Sequence, residues 1–348
     1  MPSVYRPRGS AVNATARACA AAAPGAALVI DPIPDLQYPS VVSGPRLVIV
    51  TGKGGVGKTT VAAAVAQAAV AARRSVLLVE VATPGRLASV LDVPALSGEP
   101  RQLLDGLSAV ALEESSALEE LVHQLMPLRL LSRRLLSSDT FRIIAAAVPG
   151  IVETALLARV IGWLEEQDRR GRPRWDVVVL DSPASGHSVP LLATPRTLSG
   201  LATVGPLGAV VRKTSRWLTD PALTRALVVA IPEDWAVAEA VELHESLRDG
   251  LALPVGRPVL NAVFPKRFSR TDEALLEEAE ASHSIDPQLL DAGRYFLRRR
   301  AVAMEHARTL RAATRERPLE LPFLFSSSMT WEDLAPIADA LDPVLEIA

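Results

Sequence analysis

A glycine-rich segment that contains two lysines and two threonines carries the most specific chemistry in this sequence. Residues 52–60 read Gly-Lys-Gly-Gly-Val-Gly-Lys-Thr-Thr, between a short apolar run and an alanine-rich stretch. Glycines let backbone N–H groups approach phosphate oxygens closely, and a helix that begins near Lys58 adds the positive end of its dipole. The spacing is that of the P-loop motif GxxxxGK[ST] in a strand–loop–helix context. The sequence therefore predicts a site for a nucleoside triphosphate.

Individual residues of this loop have distinct expected roles. Lys58 would reach the β- and γ-phosphates, and the hydroxyl of Thr59 would be a ligand of Mg²⁺. The expected bound species are therefore ATP and Mg²⁺. The residues of the segment expected to contact the nucleotide are Gly52, Gly54, Gly55, Val56, Gly57, Lys58, Thr59 and Thr60.

A carboxylate at the end of another predicted strand is expected to complete the metal site. Asp181 follows the apolar run Val-Val-Val-Leu and precedes Ser-Pro-Ala-Ser-Gly-His. In this position it fits the Walker B role, in which a carboxylate holds Mg²⁺ through the water shell of the ion. The alternative is a structural helix N-cap. Residues 182–187 would form a loop that senses the γ-phosphate, and Gly186 would let that loop move.

Strand and helix signals alternate along the chain. Most predicted strands are continuous apolar runs, as in parallel strands that are buried on both faces. The alternation predicts an α/β fold with a doubly wound, mostly parallel sheet and helices on both faces, and the glycine-rich segment makes this a fold of the P-loop NTPase type. The predicted strands are Arg46–Thr51, Ser75–Val81, Trp175–Asp181, Leu227–Ile231, Pro258–Val263 and Leu319–Leu324.

Domain boundaries follow from the segments between these strands. We expect residues 1–44 to form a disordered extension and residues 45–348 to form a single ATPase domain with a helical insertion at about 101–170. A second helical segment is expected at about 199–226. Apolar residues at helical spacing in the insertion either pack as a cap on the sheet or line a groove for a hydrophobic client. The helices predicted in the insertion are Ser115–Leu136, Asp139–Ala147 and Gly150–Gln167.

Composition and charge exclude several classes of function. Of the 348 residues, 49% are apolar and the formal net charge is −2, so bulk electrostatics do not favour nucleic-acid binding. The single cysteine, Cys19, cannot form an internal disulfide, a CxxC zinc site or a three-thiolate arsenite site. No apolar run is long enough for a membrane span, and we expect a cytoplasmic protein. An arginine-rich stretch at 294–315 is more typical of a solvated helix face than of a DNA contact.

A second lysine in the glycine-rich segment indicates a particular class of P-loop protein. Lys53 stands directly after the first glycine, and in this respect the segment resembles the deviant Walker A class. The resemblance implies that Lys53 reaches across a dimer interface to the nucleotide of the partner. A cation placed there would stabilise the charge on the transferring phosphoryl group.

The two motifs together resemble the ArsA family of arsenical-pump and tail-anchored-protein targeting ATPases, over about residues 45–345. This resemblance implies that Gly186 and His187 lie at the nucleotide and that Asn261 contacts the adenine ring. It also implies a homodimer, or a heterodimer with a paralogous ATPase, that acts on a hydrophobic client or a membrane protein.

One segment departs from the family pattern. The family carries an acidic residue that orients the attacking water after its second strand, whereas this chain has Ala82 there. Glu80 is acidic but still on the predicted strand, where it could hold Mg²⁺ or a water, and alanine cannot act as a general base. The predicted catalytic residues are Lys53, Lys58, Glu80 and Asp181. Two functions stay open: a dimeric ATPase that couples nucleotide state to a client, and a regulatory subunit with weak or no hydrolysis in a heterodimer.

Overall fold

An eight-stranded β-sheet forms the centre of the computed structural model. The structure describes residues 44–81, 85–125, 150–199, 205–282, 286–326 and 329–345. The strands are β1 (Leu47–Gly52), β2 (Val76–Val81), β3 (Arg101–Leu104), β4 (Leu107–Leu112), β5 (Val177–Asp181), β6 (Thr224–Ala230), β7 (Val259–Val263) and β8 (Leu319–Pro322).

The strand order places β1 near the middle of the sheet. The order is β3-β4-β2-β5-β1-β6-β7-β8, and every pairing is parallel except the antiparallel pair β3–β4. β1 lies between β5 and β6. The connection that follows β1 leads to β2 on one side of it, and the connection that follows β5 leads to β6 on its other side. At such a switch point the loops that follow neighbouring strands diverge and leave room for a ligand at their carboxyl ends.

Helices cover both faces of the sheet, which confirms the predicted doubly wound α/β fold of the P-loop NTPase type. The helices within the described residues are α1 (Lys58–Ala71), α2 (Arg86–Val90), α3 (Glu114–Leu125), α4 (Ile151–Glu165), α5 (Ser185–Ser199), α6 (Gly205–Thr219), α7 (Asp234–Glu245), α8 (Arg270–Ser282), α9 (Pro287–Thr314) and α10 (Ala335–Leu345).

The alanine-rich helix α1 is enclosed between the sheet and α10. Nine of its 14 residues are buried, including Val61, Ala64 and Val65. It belongs to the core on one face of the sheet, together with Leu341 of α10. A helix that is apolar all round must be buried on both sides, and small side chains let it pack closely there. The start of α1, which carries the P-loop lysine, is therefore held rigidly.

The second core lies on the opposite face, beneath α3, α4, α5, α6, α7 and α9. Large side chains such as Trp163 and Trp217 fill it, and Trp163 is 1% exposed. This helical layer contains the ends of the predicted insertion, because α3 and α4 flank residues that lie outside the described part of the chain. Each of the two cores thus fixes one side of the loops that follow β1, β5 and β6.

The predicted helical insertion at about 101–170 begins instead with a β-hairpin. β3 and β4 pair through a two-residue turn, Asp105-Gly106, and Gly106 has φ +79°. An Asp-Gly pair between apolar runs is a strong hairpin signal, because this turn requires positive φ. β4 is buried along its whole length because it also pairs with β2. Helices occupy only the later part of the segment that the structure describes.

Two smaller boundaries also differ from the predictions. The predicted helical segment at about 199–226 contains α6, but its last residues already belong to β6, which begins at Thr224. Part of the predicted loop at 182–187 is helical, since α5 begins at Ser185. The amides of His187 and Ser188 both donate to the carbonyl of Ala184, and these bonds form the first turn of α5.

Several expectations fall outside the described residues. These are residues 1–43 of the predicted extension at 1–44, which include Cys19, the predicted helix Asp139–Ala147, and Ala82, which follows β2. Among the residues that are described, no helix combines the length and the apolar character that crossing a bilayer requires.

Candidate functional site

The predicted phosphate loop and two acidic residues meet at the carboxyl edge of the sheet. In the parallel register, Asp181 of β5 lies beside Val50 of β1 on one side and beside Glu80 of β2 on the other. The glycine loop leaves the same edge after Gly52 and enters α1 at Lys58. The topology therefore brings together the glycine loop, Glu80 and Asp181, which are far apart in the sequence.

The glycine loop depends on left-handed backbone at Gly57. This residue has φ +88°, and a Cβ atom there would lie 2.4 Å from the side-chain nitrogen of Asn261. That Nδ2 atom donates a 2.9 Å hydrogen bond to the carbonyl oxygen of Val56, within the loop. Asn261 is 8% exposed. The structure therefore places this residue, predicted at the adenine ring, against the backbone of the phosphate loop.

Lys58 folds back across the loop that precedes it. Its Nζ atom donates a 2.9 Å hydrogen bond to the carbonyl oxygen of Lys53, and the residue is 8% exposed. Desolvation lowers the pKa of Lys58, although the nearby carboxylates of Asp181 and Glu239 oppose this effect. A cation with few water contacts is well suited to bind phosphate, because little hydration must be removed.

Asp181 and Thr59 form a buried pair at the start of α1. Thr59 Oγ1 donates a 2.6 Å hydrogen bond to Asp181 Oδ2. Burial raises the pKa of Asp181 to about 6, against the opposing effects of the Thr59 hydrogen bond and the charge of Lys58. The residue is 4% exposed, and its other oxygen, Oδ1, is buried without a hydrogen-bond partner.

These residues fit a magnesium ion. A buried carboxylate oxygen without a partner is costly, and a bound hard cation or its water shell would satisfy it. Hydroxyl and carboxylate oxygens are the donors that Mg²⁺ prefers, and here they come from Thr59 and Asp181, which already lie in contact. The positions predicted for metal binding are therefore adjacent, and Asp181 Oδ1 offers an unused acceptor.

The carboxylate of Glu80 accepts hydrogen bonds from backbone amides at the start of α2. Its Oε1 atom accepts from the amides of Arg86 and Leu87, each at 3.0 Å, and its Oε2 atom accepts from the amide of Gly85 at 3.2 Å. The residue is 1% exposed. The carboxylate thereby neutralises the amide-rich end of a short helix. The structure therefore shows Glu80 anchoring the segment that follows Ala82, with neither of its oxygens unused.

Residues after Asp181 bind back to β1 before α5 begins. Ser182 Oγ donates to the carbonyl of Val50 at 2.9 Å, and Thr51 Oγ1 donates to Ser188 Oγ at the same distance. Gly186 and His187 lie in the first turn of α5, and both are exposed. They are therefore accessible at the edge of the site, on an element tied to the strand that carries the phosphate loop.

Lys53 contacts a residue that sequence reasoning missed. The Nζ atom of Lys53 forms an ion pair with Glu239 Oε2, and the hydroxyl of Ser185 donates to Glu239 Oε1. Lys53 Nζ also lies 5.7 Å from the centre of the Trp235 ring. Neither Glu239 nor Trp235 belongs to a motif. No signal in the sequence could have linked them to Lys53, because the contact depends on the rotation of α7.

Comparisons with known proteins indicate one family. The family model described as an anion-transporting ATPase, ArsA_ATPase, matches residues 45–204, which include the phosphate loop and Asp181. The chain is 30% identical over 262 residues to ATPase BagA of Mycobacterium tuberculosis, a match that covers 74% of this chain and 76% of that protein. The chain belongs to the ArsA ATPase family.

More distant relatives of this ArsA-family chain differ in length. A putative arsenical pump-driving ATPase of Halobacterium salinarum is 27% identical over 262 residues, which cover 70% of this chain and 39% of that protein. ATPase GET3 of Kluyveromyces lactis is 25% identical over 248 residues, which cover 62% of this chain and 71% of that protein. The relatives thus bear names that indicate more than one function.

The first prediction concerns Gly57 of this ArsA-family loop. Gly57→Ala should lower the free energy of unfolding by about 1–2 kcal/mol for the left-handed backbone, and by at least about 1 kcal/mol more for the collision with Asn261. Gly55→Ala is the matched control, because Gly55 has φ +87° but no atom lies within 4 Å of the position that its Cβ would occupy. Urea unfolding without nucleotide measures both. Equal losses of unfolding free energy in the two variants would contradict a collision between the side chain introduced by Gly57→Ala and Asn261.

The second prediction concerns the buried carboxyl of Asp181. Its folded-state pKa of about 6 exceeds the unfolded value, so between about pH 4 and 6 the folded chain holds a proton that the unfolded chain has released. Stability contributed by this group therefore falls as pH rises through that window and stays low above it. Without nucleotide, Asp181→Asn should raise the free energy of unfolding by about 2–3 kcal/mol at pH 8 and by about half as much at pH 5.

Thermal and denaturant unfolding of both proteins at pH 5 and pH 8 would measure this difference. Added Mg²⁺ and ATP should reverse the order, because the wild-type carboxylate then gains a cation that asparagine binds weakly. A wild-type protein that is as stable as Asp181→Asn at pH 8 would show that the carboxyl ionises without cost.

The third prediction separates anchoring by Glu80 from metal binding. Glu80→Ala leaves the amides of Arg86 and Leu87 without their acceptor and should lower the free energy of unfolding by about 2–4 kcal/mol. Glu80→Gln keeps one acceptor oxygen and should lose about half as much. Limited trypsin digestion at Arg86 should accelerate in the same order. Unchanged stability and digestion together with lost Mg²⁺ binding would instead assign Glu80 to the metal.

Proposed function

We propose that this chain is an ATPase that binds Mg²⁺ and ATP at the carboxyl edge of its sheet and hydrolyses the terminal phosphate bond. The observation that carries the proposal is the constellation of Lys58, Thr59 and Asp181 around a left-handed glycine loop. The unpartnered Oδ1 atom of Asp181 supports the metal assignment. Membership of the ArsA family supports ATP as the nucleotide.

In this proposal the glycine loop, Lys58, Thr59 and Asp181 act from the positions that they already occupy. Amides of the glycine loop bind the phosphate chain, and the Lys58 ammonium neutralises the β- and γ-phosphates. Thr59 and Asp181 hold Mg²⁺, which when bound would polarise the phosphate oxygens and spread the developing charge. The low exposure of Lys58 and Asp181 strengthens their electrostatic interactions, because little water screens them.

Dimer formation is the second part of the proposal. The side chain of Lys53 is 45% exposed at the end of a flexible stem, so it can reach beyond its own chain. In a pair of chains that face each other through their phosphate loops, each Lys53 would contact the nucleotide bound to its partner. This arrangement supplies a cation to the transferring phosphoryl group only when two chains meet.

The third part of the proposal concerns the client, which is the hydrophobic protein or membrane protein on which the ATPase would act. Apolar residues that are only partly buried, among them Leu118, Leu125, Ile151 and Val152, border the helical core on α3 and α4. We propose that nucleotide-driven movement of this layer changes its apolar surface for a hydrophobic client or a membrane protein. Arsenite is not proposed as a substrate, because the sequence has one cysteine. The same proposal places the protein in the cytoplasm, where ATP is available.

An alternative is a regulatory subunit that binds nucleotide with little hydrolysis. The observation that favours it is Glu80, because both of its oxygens accept backbone amides, which hold this carboxylate at the start of α2. Ala82 supports this alternative from the sequence, since alanine cannot act as a base. In that case a paralogous ATPase in a heterodimer would supply the missing carboxylate.

Steady-state ATP hydrolysis by the purified full chain provides the fourth prediction. Lys58→Ala should lower kcat/KM at least about 100-fold, because it removes the principal cation at the phosphates. Lys53→Ala should lower kcat to a similar degree while ATP binding changes less than about threefold, since Lys53 acts on the partner's nucleotide. Lys213→Ala is the control, because this exposed lysine pairs with Glu165 away from the site.

The outcomes separate the two functions. Turnover that both site variants abolish supports the ATPase. ATP binding without turnover, with activity restored by a paralogous chain, supports the regulatory subunit. No binding of a fluorescent ATP analogue to the wild-type chain at millimolar Mg²⁺ would overturn both.

A further inference from the structure

A single carboxylate joins the two segments that flank the predicted γ-phosphate position. Glu239 lies on α7 and accepts from Lys53 through one oxygen and from Ser185 through the other. Lys53 belongs to the glycine loop, and Ser185 begins the helix that follows Asp181. Glu239 thus bridges the glycine loop and the start of α5 within the same chain.

The environment of Lys53 holds its ammonium on this chain. Trp235 lies one helical turn before Glu239, and its ring centre is 5.7 Å from Lys53 Nζ. The cation therefore has a carboxylate and an aromatic ring of the same helix as neighbours. In this position it contacts α7 of its own chain, although the proposed mechanism requires it at the partner's nucleotide.

The ion pair between Lys53 and Glu239 is accessible to solvent, so another anion can replace Glu239 as the partner of Lys53. The side chains of Lys53 and Glu239 are 45% and 23% exposed. Desolvation alone would raise the pKa of Glu239, but the hydrogen bonds from Lys53 and Ser185 and the charges of Lys53 and Lys58 together outweigh it and lower the pKa, so the carboxylate is charged at neutral pH. An ion pair with this exposure is weak, so a triphosphate with several charges can compete for the lysine.

Helix α7 does not need Glu239 for its packing. Its buried residues are Ala236, Val237, Ala240, Leu243 and His244, which form the face toward the sheet. Glu239 lies on another face of the helix, toward the phosphate loop. A conservative change at Glu239 should therefore leave the fold intact and alter only the bridge.

We propose that Glu239 is a positioning residue that holds Lys53 and Ser185 on their own chain, and that ATP binding must break this bridge before Lys53 can serve a partner. The inference rests on the proposed function, because it requires nucleotide at the phosphate loop. It adds a regulatory device to that function, since the chain restrains its own lysine until nucleotide is bound.

Substitution of Glu239 by glutamine tests this restraint directly. Glu239→Gln retains the shape and an acceptor for Ser185 but removes the charge that holds Lys53. The half-saturating concentration of a fluorescent, slowly hydrolysed ATP analogue should fall about twofold to fivefold, which is the range expected when an exposed ion pair no longer competes. Nucleotide-dependent association, measured by sedimentation, should begin at correspondingly lower analogue concentrations.

A double-mutant cycle distinguishes the bridge from a general loss of negative charge. Removal of any carboxylate near Lys58 would tighten anion binding whether or not Lys53 is present. If the bridge is responsible, Glu239→Gln should change the affinity by less than about twofold in a Lys53→Ala background. Glu242→Gln is the matched control, because it removes an exposed carboxylate from the same helix. This control should leave the affinity unchanged.

The results separate failure of this inference from failure of the proposed function. A wild-type chain that binds no analogue overturns both. Nucleotide binding that Glu239→Gln weakens or leaves unchanged overturns the bridge alone, and so does a tighter binding that persists without Lys53. Thermal unfolding of the variants within about 2 °C of the wild type would confirm that folding is not the cause of any difference. Tighter binding that requires Lys53 supports the restraint.

Discussion

Burial of one incompletely paired carboxylate organises the candidate site. Asp181 lies at the end of β5, between β1 and β2, where nearly all water is excluded. A charge in such a position is unfavourable unless a partner neutralises it. Thr59 satisfies one oxygen and Lys58 contributes an opposite charge, but the second oxygen has no hydrogen-bond donor. A cation bound there is therefore expected to stabilise the site.

The phosphate loop is held in shape by one contact from a distant strand and by one contact within its own sequence. Val56 binds Asn261 of β7, and Lys58 closes the loop onto the carbonyl of Lys53. Helix α1, which is buried in the core, fixes the carboxyl end of the loop. A loop fixed before the ligand arrives loses little conformational entropy on binding, which favours affinity. Glycine at 57 is required for this arrangement because both the backbone angle and the position of Asn261 exclude a side chain.

Local patterns predicted much of the fold and the centre of the site. The apolar runs located β1, β2, β5 and β7 within about two residues, because strands buried on both faces have few polar residues. The glycine loop was predicted from its fixed spacing, and Asp181 was predicted from its position at the end of an apolar run. The hairpin of β3 and β4 was included in a predicted helical insertion although Asp105-Gly106 is a turn signal, since the length of the segment suggested an insertion.

Contacts between distant elements could not be predicted in this way. Glu239 reaches Lys53 across 186 positions of the chain, and this contact depends on how α7 is rotated against the sheet. Glu80 shows the same limitation, because its acidity suggested a metal or a water, whereas its amide partners appear only when the turn at Gly85 folds. Such roles depend on tertiary geometry, and residue type alone does not determine them.

The two borders of the sheet have a consequence for assembly. β3 and β8 are the outermost strands, each has four residues, and β8 ends in Pro322, which has no amide hydrogen to donate. Short borders of this kind are poor templates for adding a strand from another molecule. Pairing of β3 or β8 with a strand of a second molecule is therefore disfavoured. Recognition between molecules is left to helices and loops, whose contacts can be made and broken without unpairing a strand.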